Sequence, residues 1–102
     1  MRTKRYKRVV CNDGFSMSVQ AHSTAYCTPR GNFADEYTAV EVGFPNNREE
    51  LLKPYAEDWD KPTNTVYGYV PVQTVYLIIT KHQGMSEGEL PVGVPNPWTS
   101  QE

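Results

Sequence analysis

Hydrophobic and polar positions alternate most cleanly near the start of the chain. Phe15, Met17 and Val19 interleave with Ser16, Ser18 and Gln20, and Val9 and Val10 lie on the other side of Asn12-Asp13-Gly14. Alternation on both flanks of an Asp-Gly pair predicts a β-hairpin, because Asp and Gly tolerate the positive φ angles that a tight turn between twisted strands demands. The predicted strands run over about 5–11 and 15–21, with Phe15, Met17 and Val19 turned to the core.

Residues 37–44 are rich in β-branched and aromatic side chains and predict a third strand, closed by Pro45. In it Val40, Val42 and Phe44 share one face with Thr38, against Ala39 and Glu41 on the other. Asn47 stands three residues before Glu50, just ahead of Leu51 and Leu52. That spacing lets the Asn side chain cap the first free amides of a helix while the Glu reaches back. A helix from 48 follows. Pro54 removes a backbone donor and disfavours a helical Lys53, so the helix either ends near 53 or kinks into one more turn through Glu57.

Residues 65–70 predict a fourth strand, after which Pro71 is placed to open a helix at its first position. Val72, Val75, Tyr76 and Ile79 form a helical stripe that Leu77 and Ile78 widen, and Lys81, His82 and Gly84 supply stop signals. The β-branched run 75–80 competes as a strand, and the bracketing by Pro71 and Gly84 favours helix. Residues 22–36 carry no period and many turn formers, a long loop of the kind that is often functional. Residues 57–64 form an acidic loop. From Met85 onward three Pro, two Gly and Trp98 stand among polar residues, which predicts a tail over 85–102. The expected fold is α+β: one domain over 1–84, with a small antiparallel sheet of three to four strands and one short and one longer helix packed on one face.

Length and composition agree with that picture. A chain of 102 residues fits one domain with a modest core. Its longest apolar run, Val75-Tyr76-Leu77-Ile78-Ile79, is far shorter than a membrane span. The basic start is followed by no apolar stretch, so no secretory leader is expected and the cytoplasm is the default compartment. Cys11 and Cys27 are then reduced thiols. Charge is unevenly spread: residues 1–8 hold five of the ten Lys and Arg, whereas the remainder holds five basic side chains against twelve acidic ones. The plain explanation is a solubilising first strand, and the sharper one a basic arm for an acidic partner.

Candidate chemistry is thin. Cys11, His22, Cys27 and His82 are the soft ligands, but they lack the close pairs that pre-organise zinc sites, so no metal is expected. Cys27 beside Pro29 and Arg30 is a candidate nucleophile only if His22 or His82 reaches it. No phosphate-cradling glycine pattern occurs, and no cofactor is implied. Glu57, Asp58 and Asp60 read as a solvated acidic loop, since acid catalysis needs one carboxyl in apolar surroundings. A single-strand nucleic-acid site would use Arg2, Lys4, Arg5, Tyr6, Lys7 and Arg8, where an aromatic is interleaved with cations, although the acidic body weighs against it. Protein binding has positive support. The 65–70 strand alternates Tyr67 and Tyr69 with Val66, Gly68 and Val70. If the valines face the core, the tyrosines join Trp59, Asp58 and Asp60 in an adhesive patch with an acidic rim; otherwise they cover helix faces inside the fold.

Several short strings, Cys11-Asn12-Asp13-Gly14-Phe15, Met17-Ser18-Val19-Gln20-Ala21, Tyr55-Ala56-Glu57-Asp58, Lys81-His82 and the segments 37–45 and 66–71, give residues 9–84 a resemblance to small uncharacterised proteins encoded in tailed-phage genomes. No catalytic or binding residue comes with that resemblance. It implies that a short acidic protein of this kind binds and blocks a host protein, in the cytoplasm of the host cell. The expected function is therefore non-enzymatic binding or inhibition through Asp58, Trp59, Asp60, Tyr67, Tyr69 and the 22–36 loop with Arg30. The alternatives are a small enzyme or ligand-binding domain built on the 22–36 loop with Cys27, His22 and Arg30, and nucleic-acid binding through the basic arm. An edge strand, 37–44 or 65–70, is also open to pairing with a second copy.

Overall fold

The computed structural model describes residues 5–95. Five strands, β1 (Val9–Cys11), β2 (Ser16–Gln20), β3 (Ala39–Gly43), β4 (Val66–Pro71) and β5 (Met85–Glu87), form one sheet in the order β4-β3-β2-β1-β5. Every neighbouring pair is antiparallel. A 3-10 helix (Glu50–Tyr55) joins β3 to β4, and α1 (Val72–Lys81) joins β4 to β5. The β4–α1–β5 connection therefore runs from one edge of the sheet to the other, and α1 buries Val72, Val75, Ile78 and Ile79 in the core. Met17, Val19, Val40, Val42, Tyr67 and Val70 are fully buried opposite them. Among the described residues no helix is long and apolar enough to cross a membrane.

The hairpin and the main helix form where the local sequence predicts them. Phe15, Met17 and Val19 are buried as their alternation requires. The turn closes through the Gly14 amide on the Cys11 carbonyl, 3.0 Å, with Gly14 at φ 97°. Gly84, at φ 87°, stops α1 and returns its amide to the Ile79 carbonyl. Pro71 ends β4 and occupies the N-cap, one residue outside the position expected for it.

Four expectations need correction. The sheet has five strands, not three to four, because residues 85–95 are built into the domain instead of trailing from it. Met85 and Val94 are buried, the Glu89 amide bonds the Lys7 carbonyl, and the Tyr37 amide bonds the Val92 carbonyl. Gly93, at φ 110°, lies so close to the Tyr37 backbone that a Cβ there would overlap the Tyr37 carbonyl oxygen. Glycine in this stretch serves close packing as well as turning. Trp98 and the rest of the predicted tail lie outside the described residues.

The second correction concerns the short helix. It is 3-10, with the Leu52 amide on the Glu49 carbonyl and the Ala56 amide on the Lys53 carbonyl, and it contains Pro54. Six residues with a proline inside gain little from α-helical bonds, so the tighter turn wins. Its cap is Glu49, whose carboxylate accepts the Leu51 amide, and not Asn47. Third, Phe44 leaves the face of Val40 and Val42, because its φ of 49° breaks the alternation. Fourth, the 37–44 strand is interior, between β2 and β4. Strand β4 is an edge, but the chain's own Ala56 bridges to Tyr67 there, and the Glu57 amide bonds the Val66 carbonyl.

Candidate functional site

Strand β4 carries an irregularity that sets the exposure of its tyrosines. Val40 pairs with Val70 and Val42 with Tyr67, so one residue of β3, Glu41, faces two of β4, Gly68 and Tyr69. This is a β-bulge. Without it, Tyr67 and Tyr69 would share a face. With it, Tyr67 and Val70 both point inward, and Tyr69, at φ 54°, swings out to 49% exposure. The two arrangements expected for the tyrosine pair are each half realised.

Tyr69 does not stand alone. Its amide donates to the Tyr26 carbonyl at 3.0 Å, and the two rings are 6.0 Å apart at 35°. Tyr26 is itself 38% exposed, and the Arg30 guanidinium lies over its ring at 5.5 Å. The Tyr26 amide is fixed by the Glu41 carboxylate at 2.9 Å. Gly68 makes the approach possible: a Cβ on it would sit 3.2 Å from the Tyr26 Cβ. The 22–36 loop is thus folded back onto the bulge. Loop and strand together present two aromatic rings and a cation side by side, with Phe33, 66% exposed and at φ 57°, three residues beyond Arg30 in the loop. Tyr26 and Phe33 lie in the 22–36 loop expected to take part in contacts, but a loop without period gives no cue to which of its aromatics are outward.

The other predicted contact residues lie apart from this patch. The loop holding Asp58, Trp59 and Asp60 precedes β4, whereas Tyr69 is near its far end. Trp59 packs edge-on to the Tyr67 ring at 6.5 Å, under the Arg48 guanidinium at 4.8 Å from its ring. Asp58 accepts the Asp60 amide, which closes its own loop. The Tyr67 hydroxyl donates to the Pro62 carbonyl, so this ring is a strut beneath the acidic loop and not a contact surface. Of the six predicted contact residues, Arg30 and Tyr69 join the Tyr26 patch, while Asp58, Trp59, Asp60 and Tyr67 gather at the 57–64 loop.

The elements of the enzyme alternative do not converge. The Cys27 thiol is buried and lies against the carbonyls of His22 and Pro29, 3.3 and 3.4 Å away. The His22 ring is engaged by Thr24, its Nδ1 accepting the Thr24 amide at 3.2 Å. The Cys11 thiol is buried, and burial together with the Asp13 carboxylate pushes its pKa up to about 11, which leaves it protonated and unreactive. Among the described residues no group of His, Cys, Asp and Glu is arranged to hold a metal ion. In the basic arm, Arg2 and Lys4 lie outside the described residues. Arg8 stays at the surface but is tied to its own chain, with its guanidinium on the Ser16 hydroxyl and carbonyl and on the Phe44 carbonyl at 2.7 Å. The Tyr6 backbone is clasped by the Gln20 amide group through two bonds.

One cluster gave no sequence signal, because its members are far apart in the chain. At the other end of the sheet the His82 ring lies between two carboxylates, Nδ1 2.7 Å from Asp13 and Nε2 2.7 Å from Glu49. It stacks on Phe15 with centroids 4.1 Å apart. Glu49, 1% exposed, also accepts from Lys81 at 2.8 Å and from the Leu51 amide. Burial works against its charge, but Lys81, the Leu51 amide and His82 together outweigh it and hold the carboxyl below its ordinary value. The Phe15 amide, then His82, lower Asp13 likewise. With both ring nitrogens engaged, His82 has no position left for a substrate proton. The cluster ties the hairpin turn, the 3-10 helix and the end of α1 together.

No protein-family model, curated protein or solved structure matches the chain.

Proposed function

We propose that this protein is a non-enzymatic binding protein whose contact surface is centred on Tyr69, Tyr26 and Arg30, and that its partner is a host protein of the kind implied by the resemblance to phage-encoded proteins. The observation that carries this reading is the conformation of Tyr69. A bulky residue in the left-handed region costs roughly 1–2 kcal/mol. A ring half in water recovers only part of the cost of that placement by burial, about 1 kcal/mol. Strain of this kind persists where a side chain is needed in a set place. Tyr and Arg are also the residues that most often dominate the energy of protein interfaces, and here they are presented on a bonded scaffold that loses little freedom on binding.

The reading is tested by comparing baits. Wild-type protein and the Tyr69→Ala/Arg30→Ala double variant, each shown to be folded by circular dichroism, are used to capture proteins from a bacterial lysate, with Leu77→Ala on the exposed side of α1 as control. A partner held by the wild type and by Leu77→Ala, and reduced at least about tenfold with the double variant, supports the reading. Equal recovery by all three baits contradicts it.

A further inference from the structure

A neutral imidazole has one N–H and one lone pair, so it can donate to a single carboxylate. His82 faces two, each at 2.7 Å. Their other oxygens are already engaged, Asp13 Oδ1 by the Phe15 amide at 3.0 Å and Glu49 Oε2 by Lys81 and the Leu51 amide. Both carboxyls are held below their ordinary values and so are ionised. The two contacts on the ring are attractive together only when it carries two protons. The charged groups around it are Asp13 from the hairpin, Glu49 at the start of the 3-10 helix and Lys81 from α1, while Arg48 and Glu50 pair with each other at the surface.

We propose that His82 is a pH-gated latch, which holds the Asp13-Gly14 turn against the α1–β5 junction while doubly protonated and releases the turn when it loses the Nδ1 proton. The direction of release follows from burial. Glu49 is 1% exposed and has no water to replace a lost donor, whereas the Asp13 side chain is 30% exposed and can turn outward. The neutral ring therefore keeps Nε2–H on Glu49 and points a lone pair at Asp13. Release is confined to the tip of the hairpin. Asn12 still donates through its amide to Gly84 and through Nδ2 to Gln83, at 2.9 and 2.7 Å, whereas the Asp13 amide reaches the His82 carbonyl only at 3.4 Å.

Asp13→Asn separates the latch from a merely structural contact. The Asn oxygen can still accept the Phe15 amide, and its NH2 can donate to the bare Nδ1 of a neutral ring, so the turn stays held without the second proton. The experiment is nitrogen NMR of the imidazoles across a pH series from mildly acid to mildly alkaline, with hydrogen exchange of the Phe15 amide corrected for intrinsic rates. His22, hydrogen-bonded within its own turn, is the internal reference. In the wild type His82 should pass from two protonated nitrogens to the Nε2–H form. Phe15 protection should fall about tenfold relative to Asp13→Asn over the same range, as expected for losing one charge-assisted bond. A ring that ends in the Nδ1–H form, or wild-type protection that tracks the variant, overturns the proposal. Should Asp13→Asn fail to fold, the wild type decides alone: the Nε2–H form with loss of protection supports the latch, and any other result removes it.

Discussion

The amide of Tyr69 donates to the carbonyl of Tyr26 at 3.0 Å, and their rings stand 6.0 Å apart on the surface. Two residues with β3 and the 3-10 helix between them in sequence are thereby locked into one surface, with the bulge of β4 on one side and the 22–36 loop on the other. Several physical consequences follow from this lock and from the packing that supports it.

The strain at Tyr69 has a measurable sign. Tyr69→Gly removes a left-handed cost of about 1–2 kcal/mol and adds about 0.5–1 kcal/mol of unfolded-chain entropy. It also gives up about 1 kcal/mol of packing of the half-buried ring on Tyr26, so the variant should melt close to the wild type while losing its contact ring. Tyr69→Val places a β-branched side chain at the same φ and should melt lower, by the equivalent of about 1 kcal/mol or more. Thermal unfolding followed by circular dichroism checks both.

Close backbone approach makes Gly93 the least tolerant glycine of the 85–95 segment. Gly93→Ala sets a Cβ against the Tyr37 backbone at a φ of 110° and should destabilise by about 3 kcal/mol or more. Gly31→Ala, with nothing within 4 Å of the new Cβ, should change stability by less than about 0.5 kcal/mol. Urea midpoints of the two variants make the comparison.

These positions also mark where the sequence is readable and where it is not. The hairpin is local: Asp13-Gly14 and the alternation of Phe15, Met17 and Val19 carry their own instructions, and so do the Pro71 and Gly84 limits of α1. The bulge is not local, because nothing in Val66-Tyr67-Gly68-Tyr69-Val70 says that two residues will face Glu41 alone. Strand β5 was hidden because three residues, Met85-Ser86-Glu87, are too few to alternate, and their pairing with β1 depends on a helix crossing the whole sheet. Glu49 carries no local mark that sets it above Asn47 as a cap, since the Lys81 and His82 that hold its carboxylate in place are more than thirty residues away. The contact patch was legible as residue types, Tyr69 and Arg30, but not as a place.

Acid should weaken the fold through Asp13 and Glu49. Both carboxyls titrate below their ordinary values of 3.8 and 4.5 in the folded protein. The unfolded chain therefore binds more protons in that range, and their contribution is complete above the ordinary values and lost as pH falls through the folded ones. Urea midpoints should decline as pH drops below about 4.5. Glu49→Gln, which leaves Lys81 and His82 without their shared buried carboxylate, should flatten that decline and lower the midpoint at neutral pH.

Both thiols should be silent in the folded state. Cys11 and Cys27 are 2% and 1% exposed, and the Cys11 thiol is pushed up to about 11 by burial and Asp13. A colorimetric thiol reagent should label neither at neutral pH until denaturant is added, and then both. Rapid labelling of the native protein would show that the 22–36 loop opens.

The claim that Tyr69 and its neighbours meet a partner is tested most directly by cross-linking from the ring position itself. A photoreactive phenylalanine analogue replaces Tyr69 in one sample and Leu77, on the exposed side of α1, in another. Irradiation in a bacterial lysate should give a discrete adduct of higher mass from position 69, suppressed by excess unlabelled wild type, and none from position 77. Equal adducts from both positions, or none from position 69, would contradict the assignment of this surface.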